Sequence, residues 1–360
     1  MSEPVARVSD VVFLRFELRD LEAQKRFLTH FGFACAQESA DAIRFRGTSS
    51  APHLYVAHKG EADRLLAIAY RVERAEELEA LAARHGVQVE EARAPETGRF
   101  VRLRDPDGLG VEVWHGMKPA PAIDLPDPVI NTGHDKPRRN LLQRFGKGAS
   151  EWRARPSGGF EYGLPAAVMR LGHTAINVAD AARSIAWYRE NLGLLVTDNI
   201  VLPDGFVVGA FMRCDCGPTP VDHHTLNIVA LPPEAAPFHG TFGHAGFEIA
   251  RSFDDLLAGH CHMQTVGGYV HEWGVGRHLL GSQLYDYWRD PTGFIFEHWT
   301  DGDLLTADVP AQDVPVVDVV KGQYGPLVPS SFNLQLPPEA VPGFRASMPG
   351  PMERFVGPGG

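Results

Sequence analysis

An α+β fold made of two tandem copies of one module is what this sequence predicts, on three observations. The first is length: 360 residues exceed one ordinary domain and suit a pair of related modules. The second is internal similarity. Residues 104–114 (RDPDGLGVEVW) match 289–299 (RDPTGFIFEHW) at an offset of 185, 11–33 match 171–194 at an offset near 160, and 65–72 match 242–249 at an offset of 177. The third is order: the three blocks follow one another identically in both halves, and the growing offset reflects longer loops in the second.

Each block has a legible local structure. Val11–Leu18 and His173–Val178 run apolar or alternate, carry no Pro or Gly, and suit strands. Asp20 and Asp180 then stand where a helix N-cap belongs, with carboxylates able to accept from the free N–H groups of a first turn. In the second copy Ala181, Ile185, Tyr188 and Leu192 recur at helical spacing. Gly32 and Gly193 close the two helices where a left-handed residue is needed. Asp-Pro-x-Gly at 105–108 and 290–293 is a tight turn between two strands. Each copy thus reads strand, helix, strands, a second helix (about 75–85 and 252–263) and a hairpin. Residues 1–118 form the first module, 119–168 a connector rich in Pro, Gly and charge, and 169–300 the second module. A Pro-rich tail, 301–360, is expected to lie extended on the surface.

Composition narrows the function. Lys and Arg number 34 against 45 Asp and Glu, a net charge of −11. An acidic chain is not drawn to nucleic-acid backbones or anionic lipid. No apolar run reaches the roughly 20 residues of a membrane span, and Met1-Ser2-Glu3-Pro4 does not begin like a signal peptide. Four Cys (35, 214, 216, 261) are too few for a disulfide scaffold, so a cytoplasmic location is expected. Cys214-Asp215-Cys216 lacks a second pair at finger spacing and reads as ordinary thiols.

The duplication supplies an internal control. His173, His244 and Glu297 fall in predicted strands of the second copy, where the first copy has Phe13, Ala67 and Glu112. Taken singly, each His reads as a hydrogen-bonded core residue. Together, two neutral imidazoles and a carboxylate on one face hold a divalent first-row metal and leave open positions, unlike a structural zinc site closed by four protein ligands.

With these residues in view, the second half resembles the metal-bearing half of the type I extradiol ring-cleaving dioxygenases, of the vicinal-oxygen-chelate superfamily. The resemblance covers about residues 8–300 and is most specific across 276–300, GRHLLGSQLYDYWRDPTGFIFEHWT. It implies two tandem vicinal-oxygen-chelate modules, each of paired βαβββ motifs forming an open barrel-like sheet, the first without a metal site. It also implies Fe(II), or Mn(II), on His173, His244 and Glu297. His224 would be the acid–base residue, His278 a contact to the substrate hydroxyls, and Tyr287 a hydrogen-bond donor to the bound phenolate. His223 is one residue from His224 and on a strand would face the other way. Implied partners are a catecholic small molecule and O2, in a homo-oligomer; monocyclic alkylcatechols, bicyclic diols and dihydroxybenzoates all stay open.

Remaining histidines are placed at the surface or in loops: His30, His53, His58, His85, His134, His260 and His262. His298 should point away from a metal that Glu297 faces, and Arg277 and Arg289 would pair with surface carboxylates. Three other functions compete. Glyoxalase-like isomerases take ligands from both modules, which Phe13 and Ala67 oppose. Hydroxyphenylpyruvate-type dioxygenases place their last ligand much further from the second His than the 53 residues here. A non-catalytic binder on the same modules would need no metal trio.

Overall fold

A computed structural model describes residues 3–125, 134, 153–154, 160–161, 165–250 and 253–348. Most of the expected connector, 119–168, and the last dozen tail residues lie outside the described residues. The first copy runs β1 (Val8–Leu18), α1 (Leu21–Phe31), β2 (Ala34–Glu38), β3 (Ala42–Arg46), β4 (Tyr55–Lys59), β5 (Arg64–Val72), α2 (Ala75–His85), β6 (Glu90–Glu91), β7 (Arg99–Arg104) and β8 (Gly110–His115). These strands form one sheet in the order β2-β3-β4-β1-β5-β8-β7-β6, two βαβββ motifs joined side by side.

Two short strands, β9 (Arg153–Ala154) and β10 (Phe160–Glu161), pair with each other before the second copy begins. That copy runs β11 (Val168–Val178), α3 (Ala181–Leu192), β12 (Leu195–Val201), β13 (Val207–Arg213), β14 (Val221–Asp222), β15 (Leu226–Ala230), β16 (Thr241–Ile249), α4 (Phe253–Val266), β17 (Val270–His278), β18 (Leu284–Arg289) and β19 (Ile295–Thr300). The tail adds β20 (Leu304–Leu305), β21 (Gln312–Pro315), α5 (Val316–Val319), β22 (Gly322–Tyr324) and α6 (Val341–Ser347). The second sheet has the order β21-β12-β13-β15-β11-β16-β19-β18-β17-β22, which is the first sheet's order with one tail strand added at each edge.

Register makes the two copies superimposable residue by residue. Arg15 faces Ala67 across β1 and β5 as Ala175 faces His244 across β11 and β16. Ala69 faces Glu112 across β5 and β8 as Gly246 faces Glu297 across β16 and β19. The helices obey the same local rules. Asp20 Oδ1 accepts from the Ala23 N–H at 2.9 Å and Asp180 Oδ1 from the Arg183 N–H at 3.0 Å. Gly32 and Gly193 end their helices at φ 109° and 70°, a region that disfavours a side chain.

The helices bury apolar stripes (Leu21, Phe27, Leu28 and Phe31; Ala181, Ile185, Tyr188 and Leu192) in a core that both copies share. Phe16 lies 5.0 Å from Phe294 and Phe33 lies 4.8 Å from Phe247 between ring centroids. Among the described residues no helix is long and apolar enough to cross a membrane.

Three expectations need correction. The tail is not a surface coil. Val328, Ser331, Leu334 and Val341 are buried, and the carbonyls of Ser331 and Leu334 accept from Arg289 at 2.8 Å each. Arg289 is itself fully buried and pairs with buried Glu272, so it is no surface ion pair, whereas Arg277 does meet the exposed Asp301. His53 and His262 are buried rather than superficial, and burial pushes His53 down to about 4. In each case an apolar neighbourhood assembled from distant segments decides the outcome, and local sequence does not display it.

Candidate metal centre

Three adjacent strands, β11, β16 and β19, bring His173, His244 and Glu297 to one point. Glu297 Oε2 lies 2.8 Å from His173 Nε2 and 3.9 Å from His244 Nε2. Gly246 makes the close approach possible: a Cβ there would stand 2.5 Å from His173 Nε2, so any larger residue would displace the ring. His298, next in sequence to Glu297, projects from the opposite face and its Nε2 meets the Phe31 carbonyl at 2.6 Å.

All three residues are buried, and burial governs their electrostatics. Burial pushes the Glu297 carboxyl up to about 8 and the His173 and His244 imidazoles down to about 3 and 4. Among the described residues, neither Glu297 oxygen nor His173 Nδ1 has an aligned hydrogen-bond partner, although buried polar atoms are nearly always paired. Neutral imidazoles and an unpartnered carboxylate fit a divalent ion, which accepts lone pairs from all three. His244 is oriented for this: its Nδ1–H donates to Asn333 Oδ1 at 2.6 Å, leaving the Nε2 lone pair on the trio's side. Asn333 takes a left-handed φ of 62°, which its short amide tolerates.

A cavity of about 40 Å³ opens over the trio. His224, Asn227, His278, Gln283 and Tyr287 contribute its polar lining, and Phe211, Trp273, Leu280, Val319 and Phe332 its apolar walls. His278 Nε2 stands 2.9 Å from the Tyr287 hydroxyl and 3.9 Å from Glu297 Oε1. Burial drives the His224 and His278 imidazoles well below, and the Tyr287 phenol well above, their ordinary ranges. The His224 ring lies 4.3 Å from that of His173. Behind it, His223 Nδ1 contacts His224 Nδ1 at 3.2 Å, and His223 Nε2 lies 2.9 Å from the fully buried Asp198.

The structure therefore gathers the trio with His224, His278 and Tyr287 about one cavity, while His223 stands outside its lining. Asp198 and the particular tail residues Val319, Phe332 and Asn333 were not singled out from the sequence. Ser-Ser-Phe-Asn-Leu at 330–334, an apolar stretch inside Pro-rich sequence, is the signal that would have marked the last two.

Comparison with known proteins bears on the fold. Residues 170–298 match the model of the Glyoxalase/Bleomycin resistance protein/Dioxygenase superfamily. Metapyrocatechase 2 of Cupriavidus necator is 28% identical over 345 residues, covering 92% of this chain and 93% of its own. Biphenyl-2,3-diol 1,2-dioxygenase of Pseudomonas sp. (strain KKS102) is 26% identical, covering 72% and 83%. An iron-dependent extradiol dioxygenase of Rhodococcus jostii is 24% identical, covering 82% and 90%. Among solved structures, the Mn(II)-bound glyoxalase of Novosphingobium aromaticivorans has a TM-score of 0.69 at 19% identity, covering 91% and 94%. Homoprotocatechuate 2,3-dioxygenase of Arthrobacter globiformis has a TM-score of 0.67 at 20% identity, covering 88% and 87%. Residues 170–298 are thus a domain of the glyoxalase/bleomycin resistance protein/dioxygenase superfamily, and the chain around them is similar along most of its length to extradiol ring-cleaving dioxygenases.

Proposed function

We propose that this chain is an extradiol dioxygenase that opens the ring of a catechol with O2, using a mononuclear Fe(II), or Mn(II), held by His173, His244 and Glu297. The observation that carries the proposal is the buried, unpartnered Glu297 facing two neutral imidazoles in the second copy only. A bound ferrous ion would supply the charge that favours catecholate over catechol and the redox partner that O2 requires.

The protein's own groups then have separate tasks. Tyr287 and His278, 2.9 Å apart, hold the substrate oxygens, the phenol remaining a donor because burial keeps it protonated. His224, neutral in its buried setting, is the group placed to accept a catechol proton and to return it later in the reaction. His223 and Asp198 keep the His224 ring in place from behind. Trp273, Phe211 and Phe332 exclude water and flank the ring.

The substrate's character follows from the walls. Among the described residues no Lys or Arg lines the cavity, so an anionic ring substituent would find no counter-charge there. The substrate is an uncharged catechol, alkyl- or aryl-substituted, and carboxylated diols are poor.

Oxygen-electrode measurements on anaerobically iron-loaded protein test this. One O2 consumed per alkylcatechol, with a yellow ring-opened product and much slower turnover of dihydroxybenzoates, is the expected result. Iron-loaded protein that consumes no O2 with any catechol would refute it.

A further inference from the structure

On the sheet face turned away from the metal centre lies a second convergence of ligand atoms. Strand alternation on β18 sends Tyr287 toward the cavity and Asp286 and Trp288 to the side covered by α4. Asp286 is fully buried. Its Oδ1 is met by His260 Nδ1 of α4 at 3.0 Å and by His271 Nε2 of β17 at 2.8 Å, and its Oδ2 accepts the Trp288 indole N–H at 2.6 Å. The three ligand atoms lie within 4.8 Å of one another. The expectation that His260 is a loop or surface residue is thus corrected: it is a half-buried helix residue tied to a buried carboxylate.

The duplication is again informative. Val101 pairs with Val113 at the register where Asp286 pairs with His298, and both valines are fully buried. The second copy has exchanged apolar core residues for a carboxylate and an imidazole at a place that the ring-cleavage chemistry does not touch.

We propose that His260, His271 and Asp286 form a second metal site, for one zinc(II)-like divalent ion. Two imidazoles and a carboxylate are ligands that suit zinc. Ligand bonds of about 2.0–2.2 Å hold neighbouring ligand atoms roughly 3 Å apart around an ion, close to the spacing seen, so the ion enters with small ring movements. The Trp288 indole fixes the carboxylate's other oxygen, the outer support that metal-ligating carboxylates commonly have. Side-chain exposures of 16% for His260 and 29% for His271 leave a side open to water, which completes the coordination. The ion ties α4 to β17 and β18, the strands that end in His278 and carry Tyr287, and so braces the cavity wall from behind.

The test uses the full chain with the first trio disabled, His244→Ala/Glu297→Ala, stripped by chelator and titrated with zinc(II) by calorimetry. One zinc per chain is expected. Adding His271→Ala, or Asp286→Asn, should weaken binding by more than the roughly 100-fold that loss of an outer partner costs. A folded double variant that takes up no zinc, or an isotherm that His271→Ala and Asp286→Asn leave unchanged, overturns the proposal. Should the double variant not fold, iron-loaded wild type is titrated with zinc and its metals counted. Two ions per chain are then expected, and one overturns the assignment.

Discussion

Glu112 and Glu297 occupy the same register in two copies of one sheet, both buried, yet they are held in opposite ways. Glu112 is held by the Arg15 guanidinium, whose Nε lies 3.1 and 3.3 Å from its two oxygens, and by the Trp114 indole at 2.9 Å. Arg15 is braced in turn by Glu96, with two contacts of 3.1 Å. Burial works against the Arg15 charge, but the two glutamates outweigh it and hold the guanidinium above its usual range. In the second copy the residue at the Arg15 position is Ala175, and among the described residues no Lys or Arg pairs with Glu297. A buried carboxylate needs a counter-charge. The first copy makes one from its own side chain, while the second clears that space and surrounds it with imidazoles. One scaffold thus supports a structural ion pair on one side and the proposed metal centre on the other.

The comparison can be broken most severely at the two glutamates. Glu297→Ala should abolish metal retention and reduce turnover by at least about 10³-fold, or roughly 4 kcal/mol, with the fold intact. Glu112→Ala should leave metal content unchanged and destabilise the chain by about 1–3 kcal/mol, because Arg15 loses one of its two buried partners while Glu96 still holds it. Metal analysis, oxygen uptake and urea denaturation separate the two outcomes. A constructive version replaces Phe13 and Ala67 by His, Arg15 by Ala and Ala69, the counterpart of Gly246, by Gly, which should add one ferrous ion per chain. A folded quadruple variant with no extra iron would show that more than these side chains separates the copies.

Weaker but cleaner is the contrast between the turn aspartates. Asp105 and Asp290 each accept two backbone N–H bonds through Oδ1, but Asp105 Oδ2 also receives the Tyr188 hydroxyl at 3.2 Å, whereas Asp290 Oδ2 has no aligned partner. Burial pushes Asp290 up to about 6. Its folded value exceeds its unfolded one, so its contribution to stability is present below pH 4 and lost as pH rises through 6. The amount is on the order of 3 kcal/mol. Denaturation of wild type and Asp290→Asn at pH 4 and 6.5 should show the variant free of that slope. The smallest effect expected is at the helix caps, where Asp20→Ala and Asp180→Ala should each cost about 1 kcal/mol in thermal unfolding, alike in both copies.

Much of this architecture was open to inspection in the sequence because duplication writes each structural rule twice. Caps at Asp20 and Asp180, turns at Asp105 and Asp290, and the missing imidazoles at Phe13 and Ala67 follow from short-range chemistry compared between halves. The tail had no such twin. Its proline content suggested a surface coil, and nothing local revealed that Asn333 would reach His244 or that Phe332 would wall the cavity. Arg289 misled for the same reason, since its buried partner Glu272 comes from a neighbouring strand rather than from its own. The choice of His224 over His223 rested on alternation alone, and Asp198, which meets His223 from another strand, carries no sequence mark.

Anomalous diffraction at the iron edge, from crystals loaded anaerobically with ferrous iron, bears most directly on the asymmetry between the copies. The account predicts an iron peak about 2.0–2.2 Å from His173, His244 and Glu297 and none between Arg15 and Glu112. Absence of iron from the first place, or its presence at the second, would contradict it.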